Sequence, residues 1–107
     1  MREISAGEAR DILAAGGATL IDVREEREHA ANRVAESVLI PMSEFVDRVD
    51  EVPGEGAVIL ICRSGSRSAR VGEWLESNAD VDEVINLEGG IIAWAAQGLP
   101  YEGDAPG

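Results

Sequence analysis

Apolar residues recur along the chain at two spacings, and the alternation between those spacings predicts a mixed fold. A helical spacing covers residues 6–15, where Ser5 and Glu8 form a capping-box pattern at the start. A short run rich in β-forming residues follows at 19–23 and predicts a strand. The charged stretch 24–31 predicts a brief, exposed helix.

The same alternation continues through the middle of the chain. Residues 38–40, closed by Pro41, predict another strand. Ser43 is placed to cap a helix that continues through Val49. Residues 53–56 contain a proline and two glycines and predict a turn.

The segment 57–61 is apolar without alternation, which predicts a central parallel strand buried on both faces. A helical pattern begins at about Ser66, and residues 84–87 predict the next strand. A last helix is expected over 91–97, before a glycine and a proline. Strands and helices alternate with short connections, so the predicted class is α/β with a mostly parallel sheet.

Length and composition are those of one folded domain. A chain of 107 residues is long enough for a single sheet covered by a few helices and too short for two cores. Only residues 103–107 are expected to form a loose tail.

No run approaches the roughly 20 apolar residues of a membrane helix, and the first residues lack the apolar stretch of a secretory signal. The single cysteine, Cys62, has no partner for an internal disulfide, so we expect a cytoplasmic protein with a free thiol.

Charge excludes some classes of partner. The formal net charge is -12, and all nine basic residues are arginine. A surface this acidic argues against binding to nucleic acid or anionic membranes, because both attract the opposite sign. Two explanations of the composition stay open. One is a high-salt cytoplasm, where a Debye length of about 3 Å at roughly 1 M salt screens self-repulsion, and the other is a GC-rich genome that favours arginine over lysine.

The residues after the most apolar segment carry the candidate chemistry. Cys62 follows directly on that segment, and no acidic residue occurs between Gly56 and Gly72. The next residues form a small, polar and cationic loop: Arg63, Ser64, Gly65, Ser66 and Arg67. Ligands of open parallel sheets bind beyond the carboxyl ends of strands, and the first amides of a following helix attract anions. The same field lowers the pKa of a thiol, so the pattern predicts an ionised nucleophile.

A second interpretation of Cys62 stays open on these residues alone. A lone cysteine is more often a small hydrophobe that completes a core strand. Arg63 and Arg67, taken singly, can be solvated surface charges. The abrupt change from apolar to cationic residues, together with the glycine in the loop, favours a functional thiol over a packing role.

The loop resembles the active-site loop of rhodanese-like domains, the sulfurtransferases that carry sulfur as a cysteine persulfide. The likeness extends over most of the chain in four further segments. They are Ile21-Asp22-Val23-Arg24, Ile40-Pro41, the run from Leu87 to Trp94, and Gly98-Leu99-Pro100. The resemblance implies a rhodanese-like α/β fold, with a mostly parallel central sheet and helices on both faces.

Loop length distinguishes enzymes within this likeness. Four residues separate Cys62 from Arg67, one fewer than in the related phosphatases, whose longer loop makes room for a phosphate. The shorter loop matches enzymes that act on sulfane sulfur.

The resemblance then implies a double displacement, in which Cys62 takes the outer sulfur of thiosulfate and passes it to cyanide or a thiol. Arg67 is expected to organise the loop or bind the sulfonate group, Arg63 to attract the anion, and the loop amides to hold it.

Five residues outside the loop have expectations of their own. Asp22 and Arg24 match family positions near the active-site end and are expected to form a salt bridge or to position the loop, although each alone can be a solvated charge. His29 lies in the exposed charged segment and is expected to be neither a base nor a metal ligand. Trp74 and Trp94 lie on apolar helical faces, which predicts that they pack in the core.

One segment departs from the family pattern. Residues 32–37 replace a stretch that in the family often reads Gly-His-Ile-Pro-Gly-Ala, so the resemblance does not predict their conformation. Arg33 is expected either to add to a positive rim around the site or to offset Glu36. No cofactor is expected, and no metal site is expected because no metal ligands cluster with the single histidine.

The leading functional prediction is a single-domain, monomeric thiosulfate sulfurtransferase. Its acceptor is expected to be external, such as a thioredoxin-like protein or a small thiol, because no second cysteine can resolve the persulfide. The alternative is a persulfide carrier fed by a partner desulfurase for cofactor or tRNA thiolation, with little activity on thiosulfate. Loop length disfavours a phosphatase or arsenate reductase, and the presence of the cysteine disfavours a purely regulatory domain.

Overall fold

Five parallel strands form the central sheet of the computed structural model, which describes all 107 residues. The chain has seven strands in all, of which β3 and β7 lie outside the central sheet: β1 Arg2–Ile4, β2 Ala18–Asp22, β3 Asn32–Arg33, β4 Val38–Leu39, β5 Ala57–Ile61, β6 Glu83–Leu87 and β7 Glu102–Gly103. The helices are α1 Ala6–Ala15, α2 Glu26–Ala31, α3 Ser66–Asn78 and α4 Gly90–Ala96. The sheet order is β1-β6-β5-β2-β4, so the most apolar strand lies at the centre, as predicted. The α/β class with a parallel sheet is confirmed.

Alternate side chains of β5 point into two separate apolar cores. Ile59 and Ile61 belong to the core that includes residues of α1 and α4, while Val58 and Leu60 belong to the core that includes residues of α3. Because side chains of a strand alternate between its faces, Cys62 continues the second set and lies in the α3 core. The central strand therefore delivers the thiol to the face of the sheet that α3 covers.

Several elements match their predicted limits closely. The first helix has the predicted bounds and the predicted capping box: the Glu8 amide donates to Ser5 Oγ at 3.1 Å, and the Ser5 amide donates to Glu8 Oε1 at 3.3 Å. The charged segment forms α2, which has no buried residue. The longest helix, α3, has 13 residues, and none of the helices combines the length and the apolarity that crossing a bilayer requires.

The helix predicted from Ser43 through Val49 is absent. Short 3-10 turns cover Met42–Glu44 and Val49–Glu51 instead. Phe45 between them is buried in the α3 core. Hydrogen bonds of 3-10 spacing, with one of helical spacing from the Arg48 amide to the carbonyl oxygen of Glu44 at 3.1 Å, hold the turns, and Phe45 anchors them to the core. The edge strand β1 was also unpredicted, because only one of its three residues, Ile4, is buried.

The loose tail predicted for residues 103–107 does not begin at Gly103, because this residue is part of a strand. Gly103 pairs with Asn32, and Glu102 pairs with Arg33, so that β3 and β7 form a small antiparallel sheet. The pairing joins residues that are far apart in the sequence, and the local pattern of either segment does not reveal it. The segment that departs from the family pattern thus begins as a strand.

The first turn of α4 approaches the backbone that follows β5. The amides of Ile91 and Ile92 donate to the carbonyl oxygens of Cys62 and Arg63 at 2.9 and 3.2 Å. Gly90 permits this approach, because a Cβ at that position would overlap both carbonyl oxygens. Its φ of +59° is also a conformation that glycine adopts without strain. The start of α4 therefore holds the backbone that carries the thiol.

The close approach at Gly90 predicts a large loss of stability for Gly90→Ala. The added methyl would push α4 away from the carbonyl oxygens of Cys62 and Arg63, and we expect a loss of roughly 3 kcal/mol or more in the free energy of unfolding. Gly98→Ala is the matched control, because Gly98 has a φ of +74° with no atom within 4 Å of the added Cβ. Its expected cost is about 1 kcal/mol. Urea unfolding measures both variants, and equal losses would contradict the role of the close approach.

Candidate active site

Cys62 lies where the central strand ends and the chain turns into α3. Its side chain is 1% exposed. Gly65 is the N-cap of α3 and has a φ of +108°, and a Cβ there would lie 3.2 Å from the amide nitrogen of Gly89. The turn is therefore tight, and it brings the first amides of α3 towards the sulfur. The dipole of a helix adds roughly half a positive charge at this end.

Hydrogen bonds stabilise the negative charge on the Cys62 sulfur. The amide of Gly65 donates to Sγ at 3.0 Å, and the hydroxyl of Ser68 donates to Sγ at 3.3 Å. Burial alone raises the pKa of this thiol, but the hydrogen bonds from Ser68 oppose that effect. The amides of Gly65 and Ser64 act in the same direction as Ser68, and the net result is that the pKa of Cys62 lies below its ordinary value.

Arg67 is paired with an acid from a distant helix. Its guanidinium donates to both carboxylate oxygens of Glu28, with distances of 2.7 and 2.8 Å. The hydrogen bond from Arg67 is the main reason that the pKa of Glu28 falls to about 2, and the same pair raises the pKa of Arg67. The pair offsets the charge of Arg67 and ties α3 to α2. Arg67 was expected either to organise the loop or to bind the sulfonate group, and its guanidinium is held here by Glu28.

Arg63 is the exposed and unpaired cation of the loop. It is exposed and forms no salt bridge, in contrast to Arg67. A cleft of about 160 Å³ beside the loop is lined by Arg63 together with Arg24, Glu28 and Asn32. A larger cleft of about 570 Å³ contains no loop residue. The small cleft thus adjoins the thiol loop, and the unpaired positive charge of Arg63 lines it.

Asp22 and Arg24 form the predicted salt bridge at the end of β2. Both side chains are buried, and Arg24 donates to Asp22 from Nη2 at 2.8 Å and from Nε at 3.1 Å. Arg24 also donates to Asn32, from Nη1 to Oδ1 at 2.8 Å and from Nη2 to the carbonyl oxygen at 2.7 Å. Buried charges require such partners, because they have lost water. The pair therefore fastens the end of β2 to β3.

Neither expectation for Arg33 describes its contacts. It pairs with Glu102 at 3.3 Å, rather than with Glu36, and it donates to the carbonyl oxygen of His29 at 3.2 Å near the end of α2. His29 itself has its Nε2 atom 3.2 Å from Ser37 Oγ, and burial lowers its pKa. These residues join α2 to the segments around it.

Both tryptophans have packing contacts. Trp94 is 1% exposed, and its Nε1 atom donates to the carbonyl oxygen of Pro100 at 2.8 Å. Trp74 packs against the α3 core, with its ring edge-on to Phe45 at a centroid distance of 6.3 Å. Both side chains thus lie with the cores, as their helical positions predict.

Three residues at the site were not among the predicted site residues. Ser68 lies one residue beyond the predicted loop, and Glu28 comes from α2, 39 residues before Arg67. Asn86 donates from Nδ2 to the carbonyl oxygen of Gly65 at 3.1 Å. Asn86 had a usable signal in the sequence, because a polar residue inside an otherwise apolar strand needs a partner, and Ser68 directly continues the small polar loop.

The arrangement is suited to nucleophilic chemistry at sulfur. The thiol of Cys62 has a lowered pKa, so it can attack as a thiolate without a side-chain base. The N–H groups at the start of α3 and the free charge of Arg63 can hold an anion beside it.

Comparison with known protein families identifies one family. The profile described as "Rhodanese-like domain" matches residues 5–97. A protein named "Sulfurtransferase" from Allochromatium vinosum is 38% identical over 81 residues, which cover 76% of this chain and 75% of that protein. A protein named "Thiosulfate sulfurtransferase GlpE" from Actinobacillus pleuropneumoniae is 32% identical over 100 residues, which cover 94% of this chain and 92% of that protein.

Solved structures give the same result at the level of the fold. A rhodanese-related protein from Thermoplasma volcanium has a TM-score of 0.85 and 28% identity, and the match covers 97% of this chain and 100% of that one. A rhodanese-like domain protein from Staphylococcus aureus has a TM-score of 0.80 and 32% identity, with coverage of 88% and 91%. The parallel sheet described above is thus shared with these proteins along nearly the whole chain.

The hydrogen bond from Ser68 predicts that Ser68→Ala raises the pKa of Cys62. Hydrogen bonds to charged groups are strong, so we expect alkylation of the thiol by iodoacetamide to slow about tenfold at pH values below its pKa. At high pH, where the thiol is fully ionised, the rate should match the wild type. Ser43→Ala is the control, because the Ser43 hydroxyl donates to Glu25 and not to the sulfur. A wild-type pH profile for Ser68→Ala would rule out this contribution.

The pair of Glu28 and Arg67 predicts a stability difference that depends on pH. Folding lowers the pKa of Glu28 from 4.5 to about 2, so its stabilising effect is complete above about pH 4.5 and disappears as the pH falls through about 2. Both side chains are partly exposed, so we expect Glu28→Gln to lose only about 1 kcal/mol at neutral pH. Urea unfolding across this pH range should show the difference shrinking in acid. Glu26→Gln is the control on the same helix, and a loss that does not change with pH would contradict the assignment.

Proposed function

The chain belongs to the rhodanese-like domain family, and we propose that it is a sulfurtransferase that carries sulfane sulfur on Cys62, with thiosulfate as the donor. The observation that carries the proposal is the state of the Cys62 sulfur, which accepts hydrogen bonds from Gly65 and Ser68 and has a lowered pKa. A thiolate of this kind is the reactive form of cysteine. The name of the relative from Actinobacillus pleuropneumoniae supports the choice of thiosulfate.

The first half-reaction transfers sulfur to the protein. The Cys62 thiolate attacks the outer sulfur of thiosulfate, a new S–S bond forms, and the original S–S bond breaks. Sulfite leaves with the electron pair of that bond, and the negative charge of the nucleophile remains on the outer sulfur of the persulfide. No proton moves in this step, which fits a site where hydrogen-bond donors rather than a base surround the sulfur.

Arg63 is the residue that we propose attracts the anion. It is exposed and unpaired beside the small cleft, in a protein whose net charge is -12. A local positive charge is needed here, because an acidic surface repels a doubly charged anion. Arg67 has a different role, since its pairing with Glu28 makes it a positioning residue for the loop. The amides of Ser64, Gly65 and Ser66 complete the proposed anion site at the start of α3.

The second half-reaction requires an acceptor from outside the chain. A nucleophile such as cyanide or an external thiolate attacks the outer sulfur, the S–S bond to Cys62 breaks, and the thiolate of Cys62 is regenerated. The chain has only one cysteine, so no internal thiol can resolve the persulfide. The acceptor that we propose in the cell is a small thiol or a thioredoxin-like protein. The same requirement for a reduced thiol supports a cytoplasmic site of action.

The persulfide is the intermediate that tests the proposal. Incubation with thiosulfate should increase the intact mass of the wild type by one sulfur atom, about 32 Da, as expected for a covalent intermediate on the nucleophile. Cyanide should remove the added mass and release thiocyanate. Cys62→Ser should gain nothing, because it lacks the sulfur that forms the new bond. Intact-protein mass spectrometry measures each step.

Other outcomes have defined meanings. If the wild type gains no mass from thiosulfate but gains it from a cysteine desulfurase loaded with persulfide, the protein is a persulfide carrier and thiosulfate is not its donor. If Cys62→Ser gains the same mass as the wild type, sulfur binds elsewhere and the proposed role of Cys62 is wrong. Sedimentation of the wild type also tests the monomer that we propose for this single domain.

A further inference from the structure

The carbonyl oxygen of Gly65 receives three hydrogen-bond donors. They are the amide of Ala69 at 3.2 Å, Ser68 Oγ at 3.2 Å and Asn86 Nδ2 at 3.1 Å. A carbonyl oxygen has only two lone pairs. The oxygen therefore has one donor more than it has lone pairs, and one of the three donors is available to another acceptor.

Ser68 is the donor that has another acceptor. Its hydroxyl oxygen also lies 3.3 Å from Cys62 Sγ, and a hydroxyl carries a single proton. That proton can be directed at the sulfur or at the carbonyl oxygen of Gly65, but it cannot serve both fully. The amide of Ala69 is fixed by the first turn of α3. The direction of the Ser68 proton therefore depends on whether Asn86 occupies the remaining lone pair.

The orientation of the Asn86 amide is set from the neighbouring strand. Besides the carbonyl oxygen of Gly65, Asn86 Nδ2 donates to Glu3 Oε1 at 2.9 Å. Glu3 on β1 is the direct cross-strand partner of Asn86 on β6. Both protons of the amide nitrogen are thus used. A flipped amide would place Asn86 Oδ1 against two oxygen acceptors, which is repulsive.

Packing alone does not account for an asparagine at this position. Asn86 is 1% exposed, and its Oδ1 atom has no hydrogen-bond partner. A buried polar atom without a partner destabilises the folded state, whereas the neighbouring Ile85 and Leu87 are buried without such a cost. Asparagine is therefore less favourable for packing here than an apolar residue, and what it adds is the two hydrogen bonds of its amide nitrogen.

We propose that Asn86 is a positioning residue that directs the Ser68 proton to the sulfur of Cys62. Asn86 and Ala69 together saturate the carbonyl oxygen of Gly65, so the hydroxyl of Ser68 is left to donate to the thiolate. Asn86 acts through Ser68 and does not touch the sulfur. The inference rests on the proposed role of Cys62 as the reacting thiol, but it concerns the ionisation of that thiol and not the identity of the donor.

A double-mutant cycle on Asn86 and Ser68 tests the proposal. Asn86→Leu keeps a similar shape but removes the donor, so the Ser68 proton should turn to the carbonyl oxygen of Gly65. We expect alkylation of Cys62 by iodoacetamide to slow about three- to tenfold below the pKa of the thiol, with an unchanged rate at high pH. In a Ser68→Ala background, Asn86→Leu should change the rate less than about twofold, because the mediator is missing.

The controls separate this role from a general loss of structure. Ile85→Val removes a methyl group from the same strand without breaking a hydrogen bond, and its pH profile should match the wild type. If Asn86→Leu does not fold, Asn86→Val provides a smaller side chain that also lacks a donor and suits a strand. Additive effects of Asn86 and Ser68, or a wild-type profile for the Asn86 variant, would overturn the proposal. Because iodoacetamide reports the thiolate directly, these results stand whether or not thiosulfate proves to be the donor.

Discussion

Two amide groups at the start of α4 hold the backbone on which the candidate site is built. Ile91 and Ile92 donate to the carbonyl oxygens of Cys62 and Arg63, and Gly90 leaves the space for this contact. With these carbonyl oxygens bound on one side, the chain turns so that the amides that follow face the sulfur. Gly65 completes the turn in a conformation with positive φ. Two glycine-dependent approaches, one from α4 and one within the loop, thus hold the backbone that carries the sulfur.

The state of the sulfur results from two opposing effects. Burial in the α3 core disfavours the thiolate, and hydrogen bonds from Ser68 and the loop amides favour it more strongly. The two arginines of the loop differ in their contacts, because Arg67 is paired with Glu28 while Arg63 is exposed and unpaired. A site in which every cation were free would be less rigid, and one in which every cation were paired would not attract an anion to an acidic protein.

The parts of the molecule that could be predicted are those that local sequence determines. The bounds of α1 follow from its capping box, and the buried strand Ala57–Ile61 follows from its uninterrupted apolar run. The helix predicted from Ser43 was wrong, because two 3-10 turns form there and Phe45 between them is buried in the α3 core. The partners of Arg67 and of the Gly65 carbonyl were missed for a related reason. Glu28 and Asn86 come from distant elements, and only the fold brings them to the loop.

The low exposure of Cys62 has a consequence for which bond of a persulfide breaks. Cys62 is 1% exposed, and a second sulfur bonded to its Sγ would lie about 2 Å from it, the length of an S–S bond. An incoming thiolate that attacked the inner sulfur would form a mixed disulfide and expel hydrosulfide, and one that attacks the outer sulfur receives the sulfur atom. Burial of Cys62 shields the first target. In the proposed cycle, the fold would thereby direct an acceptor thiolate to the outer sulfur and limit trapping of the domain as a disulfide with that acceptor.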